Sequence, residues 1–468
     1  MQVANENNKC FIVWSNDIRG RFDPQFLRYK KQKNNYKFAL AKLNDLLKEK
    51  PQYGANEVAV DGNPQTDIRY IRITDIDEFG NLKKDSWQTV ETIKKKYLLE
   101  ENDLLFARSG ATAGKTFLYK KEFGKAIFAG YLIKFKINEQ KANPKFIFYY
   151  TQLEPYIEWV KSIQRPSGQP NINSEEFKEI RIPLPDLETQ NKIVEIMQSA
   201  YDKKSEKEKG AENILNSINN YILEELEIKM PEAQDKECFC ISSQEVDKGR
   251  IDCYYYQPKF KEAEKSLKKS KYQVELLKNV SEKVISGQRP KGGVSQIKQG
   301  IPSLGGEHIL TNGLIKTTDL KFIPLEYHEE HIENKIQEDD ILIVKDGATT
   351  GKVGIVSKEY PYKEANINEH LFLLRSKTNL VNPYFLMAFL KSYGGQIQIE
   401  RGITGGTITG IIREVIENIK IVIPPLEIQN RIAEEVKKRM IESEQLKLLA
   451  KNEIEKAKQE VEKIILGK

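Results

Sequence analysis

A fifteen-residue segment occurs twice in this chain. ENDLLFARSGATAGK (Glu101–Lys115) matches EDDILIVKDGATTGK (Glu338–Lys352) at eight positions, with an offset of 237. Other landmarks recur in the same order. GRFD (Gly20–Asp23) and GRID (Gly249–Asp252) stand near the two starts. NPKF (Asn143–Phe146) and NPYF (Asn382–Phe385) come later, followed by PDLETQNKI (Pro185–Ile193) and PPLEIQNRI (Pro424–Ile432). Chance does not keep so many pairs in one order at nearly one spacing, so the chain reads as a tandem duplication. Whatever one half folds into, the other half must fold into as well.

Each copy changes texture at its proline. Before it, short apolar runs (IRYIRITDI around Ile71, DLLFAR around Leu105, DILIV around Ile341) alternate with Gly, Asn and Asp turns. These predict strands, with helices over 144–152 and 383–393 interspersed, hence an α+β domain. After Pro185 and Pro424, Gly and Pro nearly vanish, and about 40 residues rich in Glu, Lys, Leu and Ile follow. At about 1.5 Å per residue each is a helix of roughly 60 Å. The expected layout is a globular domain over 1–185, a spacer helix over 186–230, a second domain over 231–424 and a second helix over 425–468. Ile432, Val436, Met440, Leu446, Leu449, Ile454, Val461 and Ile464 fall at helical spacing in the second helix. Ile193, Met197, Tyr201, Ile214, Ile218, Ile222 and Leu226 do so in the first. Such stripes need a partner helix to cover them. Between them DKKSEKEKG (Asp202–Gly210) offers no apolar seam, so loose or irregular pairing is expected there. Antiparallel pairing would relate the copies by a pseudo-twofold axis and make the helices a ruler between two equivalent domains.

At 468 residues with 39% hydrophobic and 30% charged side chains, the chain is that of a globular, multi-domain protein. The polar start, Met1 to Lys9, and the lack of any ~20-residue apolar run predict a cytoplasmic location with no membrane span. Net charge is +6, but residues 186–228 and 426–468 carry −4 between them, leaving +10 on the rest of the chain, which suits a polyanionic partner. Cys10, Cys238, Cys240 and Cys253 have neither zinc-finger spacing nor a disulfide framework. All four histidines lie in the second half, so no chemistry common to the halves can use one. His328 and His331 in HEEHIE depart from the HExxH order of zinc hydrolases, and no metal is expected.

Two enzyme motifs are only partly present. SGATAGKT (Ser109–Thr116) approaches a phosphate-binding GxxxxGK[ST] loop, but Ser109 replaces its first glycine. The second copy has Asp346 there and Val353 for the hydroxyl residue. A turn between strands is the reading that fits both copies. NPYF lacks the third-position proline of the NPP[YF] of amino-methyltransferases. An Asn cap followed by Pro in the first helical turn accounts for both NPxF segments.

The duplicated motifs carry a family resemblance. PQYGAN (Pro51–Asn56), SGQRPKGG (Ser286–Gly293), the two D-[IL]-L…G-A-T-x-G-K segments and the paired P-[DP]-L-E-x-Q-N-[KR]-I helix openings resemble the specificity subunit of type I restriction-modification systems, over nearly the whole chain. The resemblance implies two target-recognition domains, each reading half of a bipartite site in double-stranded DNA. It also implies an antiparallel helical spacer that docks two methyltransferase subunits, with restriction subunits joining outside them. No catalytic residue and no cofactor would belong to this chain: S-adenosylmethionine and ATP are used by the partners.

Base contacts do not transfer between relatives that read different targets, so candidates come from chemistry. Cations beside tight glycine turns can reach phosphates and guanine edges. Repeated or loop-borne candidates are Arg108 with Lys345, Lys115 with Lys352, and Arg165 with Arg401, together with Tyr53, Gln288, Arg289 and Lys291. Partner docking is expected at the helix openings, through Leu187, Gln190, Leu426 and Gln429; packing of these residues against their own domain is the alternative. Two rival functions are a self-sufficient methyltransferase or nuclease with fused recognition domains, and a coiled-coil scaffold that binds only protein. The missing cofactor motif argues against the first, and salt-dependent duplex binding would separate the second.

Overall fold

The computed structural model describes residues 24–31, 36–77, 79–83, 87–164, 170–231, 234–246, 250, 252–294, 297–406 and 409–467. The chain divides into two compact units, Met1–Ser205 with Ala450–Lys468, and Glu206–Leu449.

The first unit is built on a four-stranded antiparallel sheet, in the order Gln52–Tyr53, Leu132–Phe135, Leu104–Ala107, Thr116–Leu118. The inner strand Leu104–Ala107 is apolar at every position because both faces are covered. Leu104 and Phe106 enter a core with Phe135, Phe146 and Phe177, while Leu105 and Ala107 enter a separate one with Phe117, Phe128 and Leu132. The rings of Phe135 and Phe177 both lie 4.9 Å from Phe106 between centroids. A parallel pair, Arg69–Ile71 with Ala126–Phe128, flanks the sheet. Strand Leu40–Lys42 pairs with Arg181–Pro183, placing Leu40 opposite Pro183.

The second unit repeats this plan. Its four-stranded sheet runs Ser281–Ser286, Leu371–Ser376, Ile341–Val344, Val353–Ile355. Ile341 and Ile343 face a core containing Phe372, Phe385 and Phe389, and Leu342 and Val344 face another with Ile367, Leu371 and Leu373. Ile301–Leu304 pairs in parallel with Asn366–Ile367, and Gln273–Leu276 pairs antiparallel with Lys420–Ile423. The alternation of buried sides in DLLFA and DILIV is therefore the same in both copies. The α+β class and the pseudo-repeat expected from the sequence hold.

Both NPxF segments start helices, Pro144–Tyr150 and Pro383–Lys391. Asn143 accepts from the Lys145 amide, Asn382 accepts from those of Tyr384 and Phe385, and Pro stands in each first turn. The long helices run Leu187–Glu225 and Leu426–Leu466, and each unit contains a portion of both. In the second unit, Glu225 meets Arg431 at 2.5 Å, the Ser217 carbonyl accepts from Arg439 at 3.1 Å, and the Ala211 carbonyl accepts from Ser443 at 3.0 Å. One number falls as the other rises, so the helices are antiparallel there. Ile218, Ile222 and Leu226 share a core with Ile432, Val436 and Met440. In the first unit, Ile193 and Met197 share one with Ile454 and Val461.

The seam differs in detail from the apolar stripe. The first helix continues unbroken through DKKSEKEKG, and beyond it Ala211 and Ser443 are fully buried. Small side chains let the backbones approach at Ala211 and Ser443, where no large apolar residue is available. Leu449, expected in the stripe, is exposed, while Ser443 and Ala450 are buried. Among the described residues no helix is long and apolar enough to cross a membrane.

Candidate nucleic-acid interface

Strand register brings a set of polar side chains together at the same end of each central sheet. In the first unit the Arg108 amide donates to the Tyr131 carbonyl, and its guanidinium lies 5.0 Å from the Tyr53 ring centroid and 3.4 Å from Asn171 Oδ1. Tyr53 in turn lies 3.2 Å from the Ser174 hydroxyl. Tyr131 is 65% exposed. In the second unit the Lys345 amide donates to the His370 carbonyl, and the Lys345 ammonium lies 3.3 Å from the Ser286 hydroxyl. His370 sits between two carboxylates, with Nδ1 2.5 Å from Asp346 and Nε2 3.3 Å from Glu369; Glu369 also faces Arg289 at 2.8 Å.

The frames beneath these side chains coincide. Ser109 and Asp346, each following the cation, form isolated bridges to Asn171 and Gly410. The amides of Gly110 and Gly347 donate to the carbonyls of Pro170 and Thr409. Tyr53 and Ser286 stand opposite Ile133 and Phe372, which in turn stand opposite Phe106 and Ile343. Hence Tyr53 corresponds to Ser286, Arg108 to Lys345, Ser109 to Asp346 and Tyr131 to His370. Each face is a partly exposed cluster of hydroxyl, cation and planar ring. Such a cluster can hold phosphate oxygens and present donors and acceptors to base edges.

Comparison with known proteins identifies the frame. The model of the type I restriction modification DNA specificity domain matches twice, over residues 36–217 and 269–456. The chain belongs to this family. The specificity subunit of type I restriction enzyme MjaVIII from Methanocaldococcus jannaschii is 26% identical over 81% of each chain. The putative MjaX specificity subunit from the same organism is 27% identical over 81% of each. A chain in a solved structure of a type I R-M system aligns at 15% identity with a TM-score of 0.47, covering 92% of this chain and 96% of its own.

The remaining candidates of this specificity-family chain have varied surroundings. Gln288, Arg289 and Lys291 are exposed on the loop after Ser281–Ser286. Lys115 instead turns inward, its ammonium 2.8 Å from the Ile76 carbonyl, and burial pushes the Lys352 ammonium down. Arg401 packs 4.3 Å from the Tyr255 ring centroid and donates to the Tyr255 carbonyl at 3.2 Å, lining a cavity of about 320 Å³ with Arg250, Glu264 and Lys420. Arg165 lies outside the described residues, as do Cys10, the GRFD segment and part of GRID.

At the helix openings Leu187 and Leu426 are exposed, whereas Gln190 and Gln429 are buried. Gln190 accepts from the Asn143 amide at 2.8 Å and donates to the Pro185 carbonyl at 2.9 Å. Gln429 bonds the Asn382 amide and the Pro424 carbonyl at 2.8 Å each. Both glutamines fasten a helix to its own domain, so of the four residues the leucines alone present surface.

The GATxGK segments are turns. The amides of Gly114, Lys115, Gly351 and Lys352 all donate to nearby carbonyls, leaving none of these four to cradle a phosphate. His328 is buried between Asn366 at 2.6 Å and Glu364 at 3.0 Å, while His331 stacks on Tyr327. No group of ligands suited to a metal occurs among the described residues. Tyr131, Asn171, Asp346, Glu369 and His370 were not singled out from the sequence. Counting back from the NPxF anchors at an offset of 239 would have paired Tyr131 with His370.

Proposed function

We propose that this chain is the sequence-reading subunit of a type I restriction-modification complex. Each unit reads one half of a bipartite site in double-stranded DNA. The paired helices set the gap between the halves and carry two methyltransferase subunits, to which restriction subunits are added. The observation that carries this reading is the pair of matched faces, alike in backbone but with Ser109 and Tyr131 replaced by Asp346 and His370, on a chain that carries the specificity domain twice. Two copies that had to grip the same partner throughout would keep every side chain; two copies that read different words keep the frame and the backbone-gripping groups and change the rest. The exposed leucines Leu187 and Leu426 at the helix openings support docking of partners there. The chain recognises DNA without catalysing the reaction. S-adenosylmethionine and ATP belong to the partner subunits.

The test is binding and methylation by the chain assembled with its methyltransferase subunits. Affinity for a duplex pool should fall by roughly 10³–10⁵ between about 50 and 200 mM salt if six to ten phosphates are contacted. The chain alone should transfer no methyl group from S-adenosylmethionine. Methyl incorporation by the chain alone, or no duplex binding by the assembly, overturns the proposal.

A further inference from the structure

The matched faces sort their own residues by task. A side chain that grips phosphate does the same job whatever the sequence, so two copies reading different words should keep its chemical class. A side chain that touches a base edge must change when the base changes. Two of the matched pairs keep their class: Tyr53 and Ser286 both carry hydroxyls, and Arg108 and Lys345 are both cations, one over the Tyr53 ring and the other at the Ser286 hydroxyl. Two pairs change class on the same frame: Ser109 becomes Asp346, and Tyr131 becomes His370.

We infer that Arg108 and Lys345 hold the DNA backbone, and that Ser109 with Tyr131 and Asp346 with His370 determine which bases are read. This rests on the function proposed above. In the first face a hydroxyl, which can donate or accept, stands beside an exposed tyrosine. In the second, the Asp346 carboxylate only accepts, so it selects a base edge that offers an exocyclic amino group, namely cytosine N4 or adenine N6 in the major groove. The His370 ring nitrogen 2.5 Å from Asp346 Oδ1 orients the carboxylate, leaving Oδ2 for the base. Asp346 is partly exposed, with 29% of its side chain open, as a reading group must be. The second half-site therefore contains a cytosine or adenine whose replacement is penalised through Asp346, and the first half-site has no such dependence on a carboxylate at Ser109.

The experiment uses the chain assembled with its methyltransferase subunits and a randomised duplex pool, with bound duplexes sequenced at several salt concentrations. Lys345→Ala should weaken binding to all sequences about equally, lower the slope of log affinity against log salt by about 1, and leave the selected motif unchanged. Asp346→Asn should leave that slope unchanged and reduce discrimination about tenfold at one base pair of a single half-site. Asp346→Ala should do the same, and both variants must assemble and melt as the parent does. A motif altered by Lys345→Ala overturns the assignment, as does Asp346→Asn weakening all duplexes alike or changing nothing. A parent assembly that selects no motif at all would instead overturn the function on which the assignment rests.

Discussion

Gly54 and Gly287 occupy the position just after the first strand of each central sheet, and neither tolerates a side chain. A Cβ at Gly54 would lie 2.3 Å from the Ala129 carbonyl oxygen, and one at Gly287 would lie 2.2 Å from that of Asn368. The loops that leave the two faces thus depend on backbone passing directly over backbone. Gly54→Ala or Gly287→Ala should cost about 1–3 kcal/mol of stability, read as a lower urea midpoint for the affected unit. A second residue-scale expectation concerns acid. Burial alone would push the Glu264 carboxyl up, but hydrogen bonds and attraction from Lys420 and Lys268 override this and hold it at about 2, against a usual 4.5. A carboxyl whose folded value is depressed stabilises the fold above its unfolded value and loses that contribution as pH falls through the folded one. The second unit should therefore lose stability between about pH 4.5 and pH 2, and Glu264→Gln should flatten that slope in pH-dependent thermal melts. At this scale the sequence was least legible. Arg108, Lys345 and Tyr53 could be proposed from their glycine-rich neighbourhood. Tyr131 and His370 could be paired by the offset of 239 but carry no shared chemistry to mark them, and only strand register sets them beside Arg108 and Lys345.

The long helices were the most legible elements, because forty residues nearly free of Gly and Pro with recurring apolar positions leave little other choice. What the pattern missed was the seam. Ala211, Ser443 and Ala450 are buried without being conspicuous, and Leu449 is exposed despite its spacing. Small residues carry no strong hydropathy signal, so close backbone approach is invisible to a search for large apolar side chains. The helix openings show a related limit. Gln190 and Gln429 each satisfy a half-buried amide and a buried carbonyl, a role that repetition alone does not distinguish from a docking contact. Gln429→Ala should leave those groups unpaired and cost roughly 1–3 kcal/mol, measured by chemical denaturation. The matching Gln190→Ala should cost about the same, and unequal losses would mean that the two openings are not equivalent fasteners.

The whole molecule was legible through its repetition. Fifteen residues at a fixed offset imply that two domains share one topology, and the matched strand orders bear that out. The +10 carried outside residues 186–228 and 426–468 is consistent with domains that meet a polyanion. If each unit reads separately, replacing residues 1–185 with the corresponding domain of a relative should change one half of the selected motif and leave the other half and the gap as they were. Sequencing duplexes retained by the chimeric assembly checks this, and a change in both halves would show that the two readings are coupled.

The short strand pairs Leu40–Lys42 with Arg181–Pro183 and Gln273–Leu276 with Lys420–Ile423 bring the entrance and exit of each domain side by side. A domain clasped in this way is a cassette: the chain between the clasped ends can be exchanged without rerouting what lies outside. Evolution then has a short path to a new specificity, by recombination of whole cassettes between genes rather than by stepwise change through intermediates that recognise nothing.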